Sequence, residues 1–288
     1  MTDDIVVASQ NDFEAVLASI ARAHRMVFIS GLPGVGKSLF IRELARVAHA
    51  IGRDTHLLQW DVVRLAFESR AILARYPDRD GATHAVIRKA VGQWVRKAVV
   101  RWHREHGRSS SMLIAEVPLI GNRLVELAQV HADDAEPLLA GPETLFVTPV
   151  PSAPVRAAIE RARERTSANP ANPRESADAA INVLQELWLD TRVRAVEIGA
   201  AAPAAEARPP FDPQAYAAVY RHLLRRRKAL TVRMDVELES NASVYDLAVE
   251  ATDIVPSADE AAEILMRLER EHTTAEIESD VARWFQSI

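Results

Sequence analysis

The residues from 31 to 38 have the types and spacing of a loop that binds phosphate. They read Gly31-Leu32-Pro33-Gly34-Val35-Gly36-Lys37-Ser38 and meet the pattern G-x-x-x-x-G-K-[ST] in full. Glycines let the backbone wrap around phosphates, and the N–H groups of such a loop point at the anion. Lys37 can reach the β- and γ-phosphates, and the Ser38 hydroxyl can ligate Mg²⁺. We therefore predict bound ATP (or GTP) with Mg²⁺, contacted by Gly31, Pro33, Gly34, Val35, Gly36, Lys37, Ser38 and Leu39.

Two acidic residues follow predicted strands further along the chain. Asp61 comes directly after the run 56–60, and Glu116 after the run 111–115. Ligands of open parallel sheets bind outside the carboxyl ends of the strands, so both acids are expected near the phosphate loop. Asp61 is a candidate general base or anchor for an acceptor hydroxyl, or else it caps the next helix. Glu116 is a candidate for the Mg²⁺ water shell or for substrate contact, or else a solvated strand end.

Four other residues are candidates for binding the acceptor of a phosphoryl group. Arg64 lies one turn after Asp61, and Arg123 follows the turn after Glu116. His84 and Arg88 are four residues apart and therefore share a helix face. For each of the four, a surface or half-buried polar position is the simpler interpretation.

An arginine-rich segment follows the fourth predicted strand, and it contains Arg156, Arg161, Arg163, Arg165 and Arg174. Arginine stabilises the charge that builds on a transferring phosphoryl group, and a mobile segment carrying arginines can close over it. We predict a lid at about residues 152–175, in which Arg161 and Arg165 share a helix face and act in catalysis. The alternative is a solvated helix in which Glu160 and Glu164 pair with these arginines.

The apolar pattern predicts the scaffold that must position these residues. Short runs at 26–30, 56–60, 111–115, 144–147 and 230–238 are predicted strands, and the fourth is expected to stop before Pro149. Helical patterns lie between them, at 11–24, 36–51, 62–74, 82–106, 122–131 and 155–198. This alternation indicates an α/β fold of the P-loop NTPase type, with a parallel five-stranded sheet and helices on both faces.

The chain is expected to have a core and a C-terminal addition. Residues 1–198 form the predicted core with the lid, and residues 199–288 supply an Ala/Pro-rich linker, a last core strand and a helical appendage. Two capping boxes, Ser257 with Glu260 and Thr273 with Glu276, predict two C-terminal helices.

Composition excludes several classes of function. The 288 residues include no cysteine, so disulfides and cysteine-bound zinc are excluded. A net charge of −5 gives no reason to expect nucleic-acid binding. No apolar stretch approaches the roughly 20 residues that span a bilayer, and the first residues do not resemble a secretion signal. We expect a cytoplasmic protein whose partners are a nucleoside triphosphate and a small-molecule acceptor, without a membrane partner; the oligomeric state stays open.

These features together resemble the P-loop small-molecule kinases, and most of all their zeta-toxin-like branch. The resemblance covers about residues 24–195 and is carried by the phosphate loop, Asp61-Val62-Val63-Arg64, Glu116 followed by Arg123, Val150-Pro151, Ile159-Glu160-Arg161, Arg165 and the turn at 173–177. It implies a nucleoside monophosphate kinase-type fold. Members of this branch transfer the γ-phosphate of ATP to a hydroxyl of a nucleotide-activated amino sugar.

By this resemblance, Asp61 is the base, and Arg161 and Arg165 contact the phosphates from the lid. Val117 stands where members commonly have glycine, and no His-Pro pair follows Asp61, so the acceptor stays open.

We therefore expect ATP- and Mg²⁺-dependent transfer of the γ-phosphate to a hydroxyl of a small molecule such as a sugar or nucleotide sugar. Lys37, Asp61, Arg161 and Arg165 are the expected catalytic residues. The alternative is a P-loop ATPase or regulatory ATP-binding protein that acts on a protein partner. A third interpretation is a protein that binds nucleotide without turnover.

Overall fold

The structure is a computed structural model of the chain, and it describes residues 3–78, 83–107, 110–118, 123–170, 172, 175, 181–204, 206–238 and 243–286. The strands are β1 (Asp3–Val7), β2 (Met26–Gly31), β3 (Thr55–Leu58), β4 (Met112–Pro118), β5 (Thr144–Pro151), β6 (Ala229–Met234) and β7 (Ala251–Asp253). All of their pairings are parallel, in one sheet of order β1-β6-β5-β2-β4-β3-β7.

Helices connect these strands. They are α1 (Gln10–Ala23), α2 (Lys37–Ala50), α3 (Trp60–Val63), α4 (Arg70–Arg75), α5 (Ala85–His106), α6 (Arg123–Ala128), α7 (Glu136–Leu139), α8 (Ala153–Ala168), α9 (Ile181–Glu197), α10 (Pro213–Leu223), α11 (Ala258–Glu271) and α12 (Thr274–Ala282). A 3₁₀ turn, Arg64–Phe67, follows α3. None of the described helices is long and apolar enough to cross a membrane.

The predicted α/β class with a parallel sheet is confirmed, but the predicted number of five strands is wrong. The two additional strands, β1 and β7, are the edges of the sheet. They are five and three residues long, and exposed positions interrupt their apolar pattern. Short edge strands with one open side carry a weak sequence signal, since only a central strand needs a continuous apolar run.

The central strand β2 explains where a ligand can bind. It pairs with β4 on one side and β5 on the other, and the strand order reverses there. The crevice beyond the carboxyl end of such a strand is the usual ligand position in open α/β sheets. All six residues of β2 are buried, because helices cover both faces of the sheet.

Two hydrophobic cores lie on the opposite faces of the sheet. On one face, α1 and α2 pack through Phe13 and Phe40, whose ring centroids are 5.4 Å apart. On the other face, the long helix α5 packs with α10 and α11 around the stacked rings of Phe28 and Phe146. The predicted capping boxes of α11 and α12 are both present, and both helices pack against α5.

The predicted end of the fourth strand before Pro149 is wrong, because β5 continues to Pro151. The N–H of Phe146 points to the β6 side, where it donates to the carbonyl of Lys228. Successive backbone nitrogens of a strand point to opposite sides. The nitrogens of Pro149 and Pro151 therefore face the β2 side. There β5 has no partner beyond Val147, and the missing N–H groups cost no ladder hydrogen bond.

Other predicted boundaries also shift. The helix expected at 62–74 is divided into α3, the 3₁₀ turn and α4, and the helical stretch 155–198 into α8 and α9. The third strand runs two residues beyond Glu116, so this acid lies within β4 and not past its end. Arg174 and most of the predicted turn at 173–177 lie outside the described residues.

Candidate functional site

The loop between β2 and α2 has the backbone of a tight turn around a small space. Gly34 and Gly36 have φ angles of 75° and 90°, in the left-handed region that favours glycine. At Gly31, an added Cβ would lie 2.7 Å from both the Tyr216 hydroxyl and a methyl group of Val35. Gly31 also has a positive φ, of 148°, so backbone conformation favours glycine at all three positions of the motif, and crowding adds to this at Gly31.

Hydrogen bonds with buried side chains fix the backbone of this loop. The N–H of Leu32 donates to the Tyr216 hydroxyl over 3.3 Å. Arg156 donates to the carbonyl of Pro33 over 2.9 Å and pairs with Glu160 at 2.7 Å. Burial raises the pKa of Tyr216 above its ordinary value, so the phenol stays neutral. Arg156 from the predicted lid cluster thus supports the loop.

The lysine of the motif, Lys37, is only 6% exposed. Its Nζ donates to the carbonyl of Leu32 over 3.1 Å and lies 3.6 Å from Oε1 of Glu116. Burial lowers the pKa of Lys37, Glu116 opposes this effect, and Arg163 and Arg156 add to it. An anion at the loop would offset both the desolvation of this ammonium and its repulsion by the two arginines.

Ser38 and the two predicted acids meet at one small polar pocket. Ser38, Asp61 and Glu116 all line it. Asp61 is exposed in the first turn of α3, whose N-cap residue is Gln59. The alternative role of Asp61 as the cap of that helix is therefore wrong, and its carboxylate faces the shared pocket.

A cavity of about 930 Å³ extends from the loop. Its lining includes the loop residues Pro33 to Leu39 on one side. On the side of the two acids it is lined by Trp60, Arg64, Thr83 and Pro118. Helices α8 and α9 close a third side. The space holds more than a triphosphate, because sites for whole drug-sized ligands span roughly 300–1,000 Å³.

The predicted acceptor residues take different places. Arg64 lines the cavity and lies 3.6 Å from Glu68. His84 caps α5, since its Nδ1 accepts from the N–H of Val86 over 3.2 Å, and its Nε2 lies 3.4 Å from Glu278. Neither His84 nor Arg88 is among the residues lining the cavity. Burial lowers the pKa of Arg88, which is half-buried in α5.

Arg123 is fully buried behind the cavity wall. Its guanidinium donates to the carbonyl of Glu116 over 2.7 Å and to that of Leu58 over 3.4 Å. It also lies over the ring of Trp60, 5.1 Å from the centroid. Burial lowers the pKa of Arg123 to about 9, against the charges of Glu116 and Asp61. This arginine joins β4 at Glu116 to the end of β3, three residues before Asp61, a role that the sequence pattern does not reveal.

The arginine of α8 that lines the cavity is Arg163. Arg161 and Arg165, the predicted catalytic pair, are exposed and do not line it. The lining residues of this helix, Val155, Ala158, Ile159 and Ala162, continue at helical spacing to Arg163 and Thr166. The i, i+4 spacing of the arginines alone does not single out Arg163. The apolar stripe of this helix does, because Arg163 lies on the same helix face as the apolar residues that line the cavity.

Comparisons of the chain with models of protein families, with curated proteins and with solved structures give no match. Its function is therefore argued from the site.

Proposed function

We propose that the chain is an ATP- and Mg²⁺-dependent phosphotransferase that moves the γ-phosphate to a hydroxyl of a small molecule. The observation that carries this proposal is the pocket shared by Ser38, Asp61 and Glu116, directly beside the buried Lys37. A phosphate-binding loop alone supports only nucleotide binding. An acid placed to meet an acceptor next to that loop supports transfer.

The loop supplies the binding of the triphosphate. The backbone N–H groups from Gly34 to Ser38 and the N-terminus of α2 offer donors and a positive partial charge to the phosphates. Lys37 exchanges Glu116 for a phosphate oxygen, which removes the cost of its burial. The charges of Lys37 and Arg163 then oppose the negative charge of the transferring group.

The residues of the small pocket fit a magnesium ion. The hydroxyl of Ser38 and the carboxylate of Glu116 are hard oxygen donors. No cluster of three or more His, Cys, Asp or Glu that could hold a metal occurs in the described part of the chain. Mg²⁺ is commonly held by one or two carboxylates together with substrate phosphates. The ion would neutralise phosphate charge, and Ser38 and Glu116 would hold it.

Asp61 orients the acceptor and takes the proton of its hydroxyl. Its carboxylate is exposed to the cavity, and Trp60 and Arg64 lie on the same wall. An aromatic face and a guanidinium suit a hydroxyl-rich or anionic small molecule. The size of the cavity beyond the loop favours a small acceptor over the alternative, a protein partner.

The direct test is transfer of labelled γ-phosphate from ATP in the presence of Mg²⁺ and fractionated cell metabolites. We expect a labelled small molecule with the wild type and none with Lys37→Ala, which removes the buried ammonium. Hydrolysis stimulated only by protein fractions would instead support the ATPase alternative. Absence of nucleotide binding by the wild type would refute both.

A further inference from the structure

The connection between β6 and β7 passes the site, and we call its described part the strap (residues 235–238 and 243–250). It joins strands on opposite sides of β2. Four of its side chains, Val236, Leu238, Leu247 and Val249, pack against the core beside α1 and α2. The strap is therefore packed against the core both before and after the residues that line the site.

Two residues of the strap, Val244 and Tyr245, line the small pocket with Ser38, Asp61 and Glu116. Both also line the large cavity. The strap thus forms part of the wall of the pocket that the two acids line, at the position proposed for the metal and the terminal phosphates.

Polar contacts hold this wall from two sides. On the side of α2, Arg42 donates to the carbonyl of Ser243 over 3.2 Å. On the other side, the Ser243 hydroxyl donates to the buried carboxylate of Glu175 over 2.7 Å. Asn172 donates to Asp246 over 2.8 Å. Asn172 and Glu175 belong to the connection between α8 and α9, so the strap joins that connection to α2.

We infer that the strap completes the nucleotide site, with Tyr245 against the metal and terminal phosphates and with Ser243 and Asp246 as positioning residues. This inference rests on the proposed phosphotransferase function. With the wall in place, the phosphate end of a bound nucleotide is enclosed by the loop, the acids and the strap. Release of the nucleotide then requires the wall to separate from residues 172 and 175, and water is kept from the γ-phosphate.

The test measures release of a fluorescent, non-hydrolysable ATP analogue (mant-AMP-PNP) with Mg²⁺ by stopped flow. Ser243→Ala and Asp246→Ala each remove one contact of the strap. Their matched controls are Ser110→Ala and Glu250→Ala, at exposed positions. We expect release to become about fivefold faster for each lost hydrogen bond and unchanged in both controls. Thermal unfolding is measured on every variant.

The outcomes separate the inference from the function on which it rests. Faster release in the strap variants, at unchanged Tm, supports the strap as a wall of the site. Unchanged release in both strap variants, or equal acceleration in the controls, overturns it while nucleotide binding stands. If one variant fails to fold, the other decides. If the wild type does not bind the analogue, the proposed function fails, and the inference fails with it.

Discussion

Arg123 donates a hydrogen bond of 2.7 Å to the main-chain carbonyl of Glu116, and the same guanidinium reaches the carbonyl of Leu58, three residues before Asp61. One buried cation therefore joins β4, which carries Glu116, to the end of β3, which leads into the helix that carries Asp61. The side chain of Arg123 contributes to the site by holding its walls, since its exposed fraction is 0%.

Replacing Arg123 should separate the acids without touching the phosphate loop. Arg123→Lys keeps the charge but not the planar fork that serves carbonyls on two strands. We expect phosphoryl transfer to fall about tenfold or more, while the Kd for mant-AMP-PNP stays within about threefold. Transfer at the wild-type rate in a folded Arg123→Lys protein would show that the distance between the strands is not critical.

Asp61→Asn should abolish transfer and leave nucleotide binding intact. The amide keeps the size of the side chain but cannot accept a proton, and general bases contribute about 10²–10⁴-fold to rates. Because Gln59 is the N-cap residue of α3, the substitution removes no helix cap. The measurements are labelled phosphate transfer and binding of mant-AMP-PNP. Full activity of this variant would refute the assignment of Asp61 as base.

Three of the four arginines of α8 allow a direct comparison. Arg163 lines the cavity, whereas Arg161 and Arg165 are exposed outside it. We expect Arg163→Ala to lower the rate of transfer about 10- to 100-fold, and each of the other two alanine variants to change it less than about threefold. The reverse order, in rates measured at saturating ATP, would support the pair predicted from the sequence.

Acid should weaken the fold through Glu136, away from the site. Burial raises the pKa of Glu136, but hydrogen bonds from Arg227 and Arg96 outweigh this and lower it to about 2. A lowered pKa means that the stabilisation is present above the unfolded value near 4.5 and is lost as the pH falls towards 2.

Glu136→Gln therefore should destabilise the protein at pH 7 by about 1–3 kcal/mol, since it removes the carboxylate that pairs with the buried guanidinium of Arg227. It also takes a carboxylate from Arg96, which keeps its pair with Asp133. The difference from the wild type should shrink between pH 4.5 and about 2. Urea unfolding at pH 7 and pH 3 measures both quantities. A difference that is independent of pH would show that Glu136 is not the titrating group.

The sequence predicts the centre of this fold better than its edges. The strand–loop–helix around Lys37 has a signature in the sequence because its glycines are required locally by the left-handed backbone of the loop. Capping boxes such as that of Ser257 and Glu260 are equally local, and both that were predicted are present. Pairing of β1 with β6 depends on residues far apart in the chain, for which one sequence offers no signal.

Around the site, too, some side chains could be predicted from the local sequence and others depend on residues far away in the chain. Asp61 and Glu116 are found at one pocket because parallel strands end together. Arg123, Arg156 and Tyr245 could not be assigned from the sequence, because their roles depend on which carbonyl or pocket they face in the folded chain. In an arginine-rich sequence, residue type and spacing do not show which arginine is buried.

The pairing of β1 with β6 has a consequence for how the protein is made. Residues 3–7 lie beside residues 230–234, and among the strands that the structure describes β1 pairs with β6 alone. A chain emerging from the ribosome exposes its first strand long before the partner is synthesised. This edge of the sheet is therefore completed only after the segment that forms the loop at residues 31–38 has already emerged.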